Sequence, residues 1–297
     1  MQIYNIETNA NGKELTSHGD DDFPCAFYDE KFSQFITGEV PWHWHDEIEL
    51  VYVVEGSCQV ESLTDSLILE QGDAVFINAT CLHKLVDIGE VDCHILNFVL
   101  NPVVIGGANY SRAYKKYVFP VIKNTQFLIY KFSAGDAWHQ QVIDELIKAF
   151  VCCQLAGERD ELALQIHLMS FWNIFYQHQL KLLVETPLTS NYQRRVQKLL
   201  SFIHAHYYED LSVLAMSDAA NISESECYRL FKKALKTTPN QYLTEYRLQK
   251  AANLLIESDK QVTQIAHQVG FNCAAYFSKR FRLAFGQTPK QFRHQAF

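Results

Sequence analysis

The spacing of hydrophobic positions changes along the chain, and each change marks a different kind of structure. From about residue 23 to 101 the apolar residues come in short β-branched and aromatic runs: Ile48 to Val54, Gln59 to Leu63, Leu67 to Leu69, Ala74 to Ile77 and His94 to Leu100. Gly56, Asp65, Gly72, Asn78 and Gly89 punctuate them. Many short strands at this spacing predict a β-sandwich or barrel. Residues 102–135 carry little periodicity; Gly106-Gly107 and Pro120 mark loops, and Phe127 to Phe132 suits one more strand. The period then becomes helical. One helix is expected from about Asp136 to Leu155, with Val142, Leu146, Ile147 and Phe150 in a stripe, ended by Gly157. A second is expected from about Asp160 to Val184, where Leu164, Ile166, Leu168, Phe171, Trp172, Phe175 and Tyr176 surround more than one side. Such a helix is buried at two contacts. One is the barrel; the other is either this subunit's own core or a second copy of the chain. Thr186-Pro187 to Asn191 reads as the linker.

Beyond the linker the chain repeats itself. Val262, Ile265, Ala266 and Val269 recur at helical spacing, Gly270 breaks the pattern, and Tyr276, Phe277, Phe281 and Phe285 form a second apolar face opposite Ser278, Lys279 and Arg282. Two short helices joined at a glycine, the second basic, predict a helix-turn-helix over about 260–286. Fifty residues earlier, Phe231-Lys232-Lys233-Ala234-Leu235 and Thr238-Pro239 parallel Phe281-Arg282-Leu283-Ala284-Phe285 and Thr288-Pro289. Met216-Ser217, Ala220 and Ile222 parallel Ile265-Ala266, Val269 and Phe271 at an offset of 49, so the second copy has one extra residue in its turn. A first helix-turn-helix is therefore expected over about 211–236, with Ser223 capping its second helix and Asn272 capping the equivalent one. A helix over 241–257 connects the copies, with Tyr242, Tyr246, Ala251, Leu254 and Leu255 inward.

Composition sharpens this picture. The 297 residues exceed one ordinary core, and 48% hydrophobic content is enough to fill two. The net charge is −8, but residues 194–297 balance at +7 and residues 1–193 at −15. A basic end on an acidic body predicts that only the end meets a polyanion. The N-terminus lacks the pattern of a signal peptide and no run reaches the ~18 apolar residues of a membrane span, so a cytoplasmic protein with no membrane partner is expected. The eight cysteines form no C-x-x-C pair and read as reduced, buried thiols.

In a strand, His43 and His45 share a face, and Glu49 shares their parity; His83 comes from another segment. His43, His45, Glu49 and Gly56 match the first cupin motif. The second cupin motif matches at Gly72 and His83, with Asn78 in place of its proline, Thr80 in place of its glycine and Asp87 in place of its asparagine. The resemblance covers about residues 23–101 and implies a jelly-roll barrel with a central pocket. His43, His45, Glu49, Tyr52 and His83 are the candidate effector contacts, with Trp42, Trp44 and Phe76 as apolar walls. In metal-binding cupins the three histidines and the glutamate hold a divalent ion, and such N and O donors suit Zn, Fe, Mn or Ni. A metal is permitted here but not the favoured reading, and no cofactor is required.

Residues 194–297 resemble the DNA-binding domain of AraC/XylS-type transcription regulators. Ile265-Ala266, Gly270-Phe271, Tyr276-Phe277-Ser278, Phe281 and Thr288-Pro289 match that family's C-terminal signature, and Ile222-Ser223, Arg229, Phe231-Lys232-Lys233 and Thr238-Pro239 match its first unit. Ser217, where alanine is usual, and Lys279, where arginine is usual, depart from it. The resemblance implies an α+β chain of two domains: a cupin-like sensor over 1–135, a helical dimerisation region over 136–185, and an all-α DNA-binding domain over 194–297. It also implies base contacts from Ser225, Tyr228, Arg229, Ala274, Ala275, Ser278 and Lys279, and phosphate contacts from Lys232, Lys233, Arg280 and Arg282. The implied partners are double-stranded DNA, a small-molecule effector such as a sugar, a second copy of the chain and RNA polymerase. A metal-dependent cupin enzyme with an appended helical domain is the alternative; the chain has no P-loop, GxSxG or HExxH pattern to support other enzyme classes.

Overall fold

The computed structural model describes residues 6–9, 12–35, 37–124, 127–154, 160–184, 191–235 and 237–295. Among the described residues, nine strands form two antiparallel sheets. They are β1 (Cys25–Lys31), β2 (Glu39–His43), β3 (Ile48–Glu55), β4 (Ser57–Ser62), β5 (Ser66–Glu70), β6 (Ala74–Ile77), β7 (His83–Asp87), β8 (His94–Leu100) and β9 (Ile129–Phe132). One sheet runs β1-β8-β3-β6-β9 and the other β2-β7-β4-β5. β1, β2 and β7 were not visible as runs in the sequence, because polar residues interrupt their apolar positions.

The first sheet is buried on both faces. Ile48, Leu50, Phe76, Phe98, Leu100 and Phe132 meet Val142, Leu146, Phe150, Leu164, Phe171 and Phe175 from α3 (Ala137–Gln154) and α4 (Glu161–Val184). Phe98 and Phe150 stack with ring centroids 4.4 Å apart. Parity assigns the other face: Glu49, Val51 and Val53 alternate with the helix-facing residues of β3. Of the two contacts expected for α4, one is in place. Leu164, Leu168 and Phe171 are buried, while Leu162, Ile166 and Met169 form an exposed stripe at i, i+4, i+7. The segment with little periodicity folds into α1 (Val103–Gly106), a π-turn at Tyr114–Val118 and α2 (Phe119–Ile122). The expected stop at Gly157 and the linker at 186–190 lie outside the described residues. No helix among the described residues is long and apolar enough to cross a membrane.

The chain divides into two compact units: Thr16–Gln34 with Gly38–Ser190, and Asn191–Phe297 with Met1–Leu15 and Phe35–Thr37. The first fifteen residues thus group with the C-terminal unit, not with the barrel as expected. The reason is local: Thr8 and Glu14 bridge to form a small hairpin, Thr8 hydrogen-bonds Tyr246, and Glu7 lies near Lys250.

The C-terminal unit is helical: α5 (Asn191–His206), α6 (Val213–Ala219), α7 (Glu224–Ala234), α8 (Pro239–Glu257), α9 (Val262–Gln268), α10 (Ala274–Phe285) and α11 (Pro289–Gln295). α5 and α11 are additions to the elements expected from the repeat. The repeat is visible in the caps. Thr238 and Gln241 form a capping box at the start of α8, and Thr288 and Gln291 exchange the same two bonds at the start of α11. Leu248, Ala251 and Leu255 of α8 pack on Ile265, Ala266, Val269, Phe277 and Phe281, so α8 is part of the second unit's core. At its other end Tyr242 meets Phe231 and His204.

Candidate nucleic-acid interface and barrel cluster

His43, His45, Glu49 and His83 converge inside the barrel. Each offers one ligand atom, and the four atoms lie within 4.8 Å of one another. All four residues are buried, none more than 3% exposed. The convergence does not come from parity in one strand. His43 closes β2, opposite His83 in β7; His45 lies past the strand end, in the turn to β3; Glu49 is the second residue of β3.

The three imidazoles are oriented alike. Nδ1 of His43 donates to Pro41 O at 2.8 Å, Nδ1 of His45 to Glu47 O at 3.1 Å, and Nδ1 of His83 to Cys81 O at 2.9 Å. A carbonyl only accepts, so each Nδ1 carries a hydrogen. Nε2 of His83 lies 2.8 Å and Nε2 of His45 3.2 Å from Oε2 of Glu49. Burial opposes a charge on Glu49, but the His83 and His45 imidazoles outweigh it and hold the carboxyl well below its ordinary value. Burial opposes a charge on His83 too, and the Glu49 carboxylate overrides it, pushing the imidazole up to about 10.

Two contributors were missed in the sequence. Asn97 of β8 faces the same side of the sheet as Glu49 and donates to its Oε1 at 2.7 Å, leaving Oε2 to the histidines. A lone amide inside the apolar run His94–Leu100 was the available signal. His18 puts its ring 5.4 Å from that of His45 and shares a hydrogen bond with the Tyr28 hydroxyl. Nothing in its polar, acidic surroundings marked it.

Tyr52 and Phe76 do not line this cluster. Tyr52 differs from Glu49 in parity and packs on Phe150; Phe76 pairs with Leu50 and meets Trp172 and Phe175. Trp42 is adjacent to His43 but turned the other way, with the Lys84 ammonium over its ring.

The substitutions in the second cupin motif have local explanations. Asn78 is buried and donates to Val121 O and Phe127 O. Asp87 accepts from Gly89 N and Cys93 N. Thr80, in the glycine position, keeps a left-handed backbone with φ of 59°, and its N–H donates to His45 O at 2.8 Å. A β-branched residue is out of place in that conformation.

In the first helix-turn-helix, α6 and α7 meet through a turn with Asn221 at φ of 54°. Ser223 caps α7 as expected, accepting from Glu226 N at 3.2 Å. Ser217 is buried with its hydroxyl satisfied by Leu214 O, which explains how serine fits an alanine position. Cys227, Leu230 and Phe231 face inward, and Ser225, Tyr228, Arg229, Lys232 and Lys233 are exposed. Glu226 is bound to Arg229 through both carboxylate oxygens, which holds its carboxyl below its ordinary value.

In the second, Gly270 has φ of 89°, and a Cβ there would stand 2.7 Å from Tyr207 O. Only glycine meets both demands. Arg247 of α8 braces the same spot, donating to Tyr207 O and Glu209 O at 2.6 Å each. Asn272 does not cap α10: the N-cap is Cys273, without a side-chain bond. Tyr276 is 52% exposed and not part of the apolar face, because it lies about 100° around the helix from Phe277. Ala275, Lys279 and Arg282 share the exposed face, with Ala274 and Ser278 half-buried at its edge. Ser278 donates its hydroxyl to Ala274 O. Arg280 is half-buried on the opposite flank with Nε enclosed and unpartnered, leaving only its terminal nitrogens to reach a phosphate.

Residues 216–295 match the family described as helix-turn-helix domain, and residues 36–99 match the cupin domain. The chain is 31% identical over 292 residues to the uncharacterized HTH-type transcriptional regulator YdeC of Bacillus subtilis (strain 168), spanning 97% of this chain and 98% of that one. It is 35% identical over 113 residues to the HTH-type transcriptional activator RhaS of Pectobacterium carotovorum subsp. carotovorum (strain PC1), 38% of this chain and 40% of RhaS. A solved structure of an AraC-type transcriptional regulator from Chromobacterium violaceum is similar at 33% identity and a TM-score of 0.34, covering 35% of this chain and 93% of that one.

Proposed function

This chain belongs to the AraC type of helix-turn-helix transcription regulators, and from that premise we propose that it reads operator DNA with α7 and α10 and takes its signal in the barrel. The observation that carries the DNA reading is a repeated exposed face. Ser225, Arg229 and Lys232 on α7 correspond, fifty residues on, to Ala275, Lys279 and Arg282 on α10. Two such helices on one connecting helix suit successive major grooves on one side of a duplex. Arginine can pair bidentately with guanine, and alanine can touch a thymine methyl. The remaining basic residues, Lys233 among them, suit phosphates.

The barrel cluster favours an ion as its innermost ligand. Ligand atoms about 2.0–2.2 Å from a common ion lie within about 4.4 Å of one another, close to the observed spread of 4.8 Å. A sugar ring does not fit between groups so close. Nε2 of His43, His45 and His83 with one oxygen of Glu49 would hold a divalent ion, and the Nδ1 bonds to carbonyls orient the rings for it. A bound ion would supply a positive centre for oxygen atoms of an effector lying beyond the cluster. Regulation then requires a ligand with different affinity for two states of the protein. The exposed stripe of α4, Leu162, Ile166 and Met169, supports docking of a second copy. We place this activity in the cytoplasm, without catalysis.

Selection of bound duplexes from a random pool, with and without candidate metabolites and metals, tests the proposal. An enriched motif whose recovery depends on a ligand is expected; no motif under any condition overturns it. Metal content of the purified protein and its sedimentation, with Ile166→Lys as the dimer-breaking variant, test the other two parts.

A further inference from the structure

The two helix-turn-helix units share α8. Near its start Tyr242 meets Phe231 and His204. Farther along, Leu248, Ala251 and Leu255 belong to the core of α9 and α10. Arg247 lies between these two stretches, and its guanidinium touches both units. On one side Nε donates to Tyr207 O and Nη2 to Glu209 O, at 2.6 Å each, in the segment that joins α5 to α6. On the other side Cζ lies 5.9 Å from the centre of the Phe271 ring. Nε and Nη2 each lie 2.9 Å from where a Cβ on Gly270 would stand. Gly270 and Phe271 form the turn between α9 and α10.

The repeat supplies a comparison. α11 follows the second unit as α8 follows the first. Arg293 of α11 donates from Nε to Leu255 O at 3.1 Å and from Nη2 to Lys260 O at 2.7 Å. The two arginines thus do the same thing. Each reaches back from the helix after a unit to carbonyls near the end of the helix before it. The bonds of Arg293 stay within the second unit. Arg247 makes the equivalent bonds in the first unit and also meets the turn of the second. Closing a unit accounts for both forks, but not for a glycine turn seated against one of them.

We propose that Arg247 is a positioning residue that fixes the distance and phase between α7 and α10, and so sets the operator spacing this protein accepts. The proposal rests on the reading of both helices as DNA readers. A planar fork on two carbonyls holds a joint more stiffly than a point charge on a flexible stem. Two readers joined stiffly gain from each other only on half-sites spaced to match them. One inserted base pair moves a half-site by ~3.4 Å along the duplex and about 35° around it.

The test uses the full chain and a two-part duplex selected by it. Affinity is measured on that duplex and on duplexes with one base pair added or removed between the parts, for wild type, Arg247→Met, Arg247→Lys and Arg293→Met. Wild type should bind the altered spacings about 100-fold more weakly. Arg247→Met should bind the selected duplex more weakly, yet lose only about 10-fold more on altered spacing. Arg293→Met, which removes the matching fork, should weaken binding and keep the whole spacing penalty. Arg247→Lys keeps the charge, and should also shrink the penalty while the slope of binding against salt stays unchanged. It replaces the methionine variant if that one melts early by circular dichroism. Equal weakening at every spacing in the Arg247 variants makes the residue a stabiliser alone and ends the proposal. An equal loss of spacing preference in Arg293→Met ends it as well, and so does a wild type indifferent to spacing. If wild type enriches no sequence at all, the reading of α7 and α10 falls and the proposal with it.

Discussion

Position for position, α7 presents Ser225, Glu226, Tyr228, Arg229, Lys232 and Lys233 where α10 presents Ala275, Tyr276, Ser278, Lys279, Arg282 and Leu283. The frames are alike: buried Cys227, Leu230 and Phe231 answer to Phe277, Arg280 and Phe281, and a threonine–glutamine box follows each unit. The surfaces differ. The first carries a planar fork clamped by a carboxylate; the second carries a flexible ammonium with a tyrosine in the place of the clamp. A rigid fork can discriminate between bases, while a point charge on a flexible stem is suited to gripping. On the proposed reading one frame would serve two tasks, divided at positions three residues apart.

The comparison can be broken at its frame first. Phe281 is fully buried and touches Phe277, Phe285 and Phe292, so Phe281→Ala should cost about 3–5 kcal/mol in urea unfolding and abolish DNA binding. Next come the turns. Gly270→Ala adds a strained φ and a clash with a backbone carbonyl, and should cost roughly 2–3 kcal/mol. Asn221→Gly, at the equivalent turn, should change stability by less than about 0.5 kcal/mol, since glycine accepts that backbone without strain. Equal costs at the two turns would show that the units do not share this geometry.

The surface difference gives the third test. Arg229→Ala should cost about 1–3 kcal/mol on the selected duplex and relax preference at one base. Lys279→Ala should weaken all duplexes alike and reduce the salt slope by about 1. Equal relaxation of sequence preference in both variants would erase the division of labour.

A last contrast is acid sensitivity confined to the first half. His204 of α5 is enclosed beside Tyr242 and Tyr246, and burial, with Lys250 adding to it, pushes its imidazole down to about 3. The unfolded chain takes up this proton near pH 6.5, so stability is full above that pH. It falls by roughly 1.4 kcal/mol per pH unit as pH drops from 6.5 toward 3. Hydrogen exchange should quicken in α5–α7 before α9–α11 as pH falls, and His204→Phe should remove the difference.

Much of this frame could be read in the sequence because duplication wrote it twice. Phe231 and Phe281, with the two Thr-Pro pairs, aligned the units without any structure. What could not be read depended on contacts between distant segments. Asn97 reaches Glu49 only because β8 pairs with β3, and no spacing within either strand announces that. Tyr52 was expected in the barrel centre on its type, yet strand parity with Glu49 already turned it toward α3. His45 was placed correctly for an incomplete reason, since a turn and not a strand aims it. The Glu226–Arg229 pair was not read at all, because a glutamate three residues after a capping serine has the local pattern of a helix start.

Thr80 has a consequence in time. His43, His45, Glu49 and His83 are closed to solvent, so anything that reaches them must wait for the chain around them to open. The segment between β6 and β7 holds a β-branched residue in a left-handed backbone, at about 1–2 kcal/mol above what glycine would need. Opening that relaxes this backbone would release that excess. Thr80→Gly should therefore make cobalt(II) uptake by the apo-protein slower in stopped-flow absorbance and its release slower too, with the four ligands unchanged. On this view a residue that touches neither ion nor DNA sets how quickly the regulator can respond.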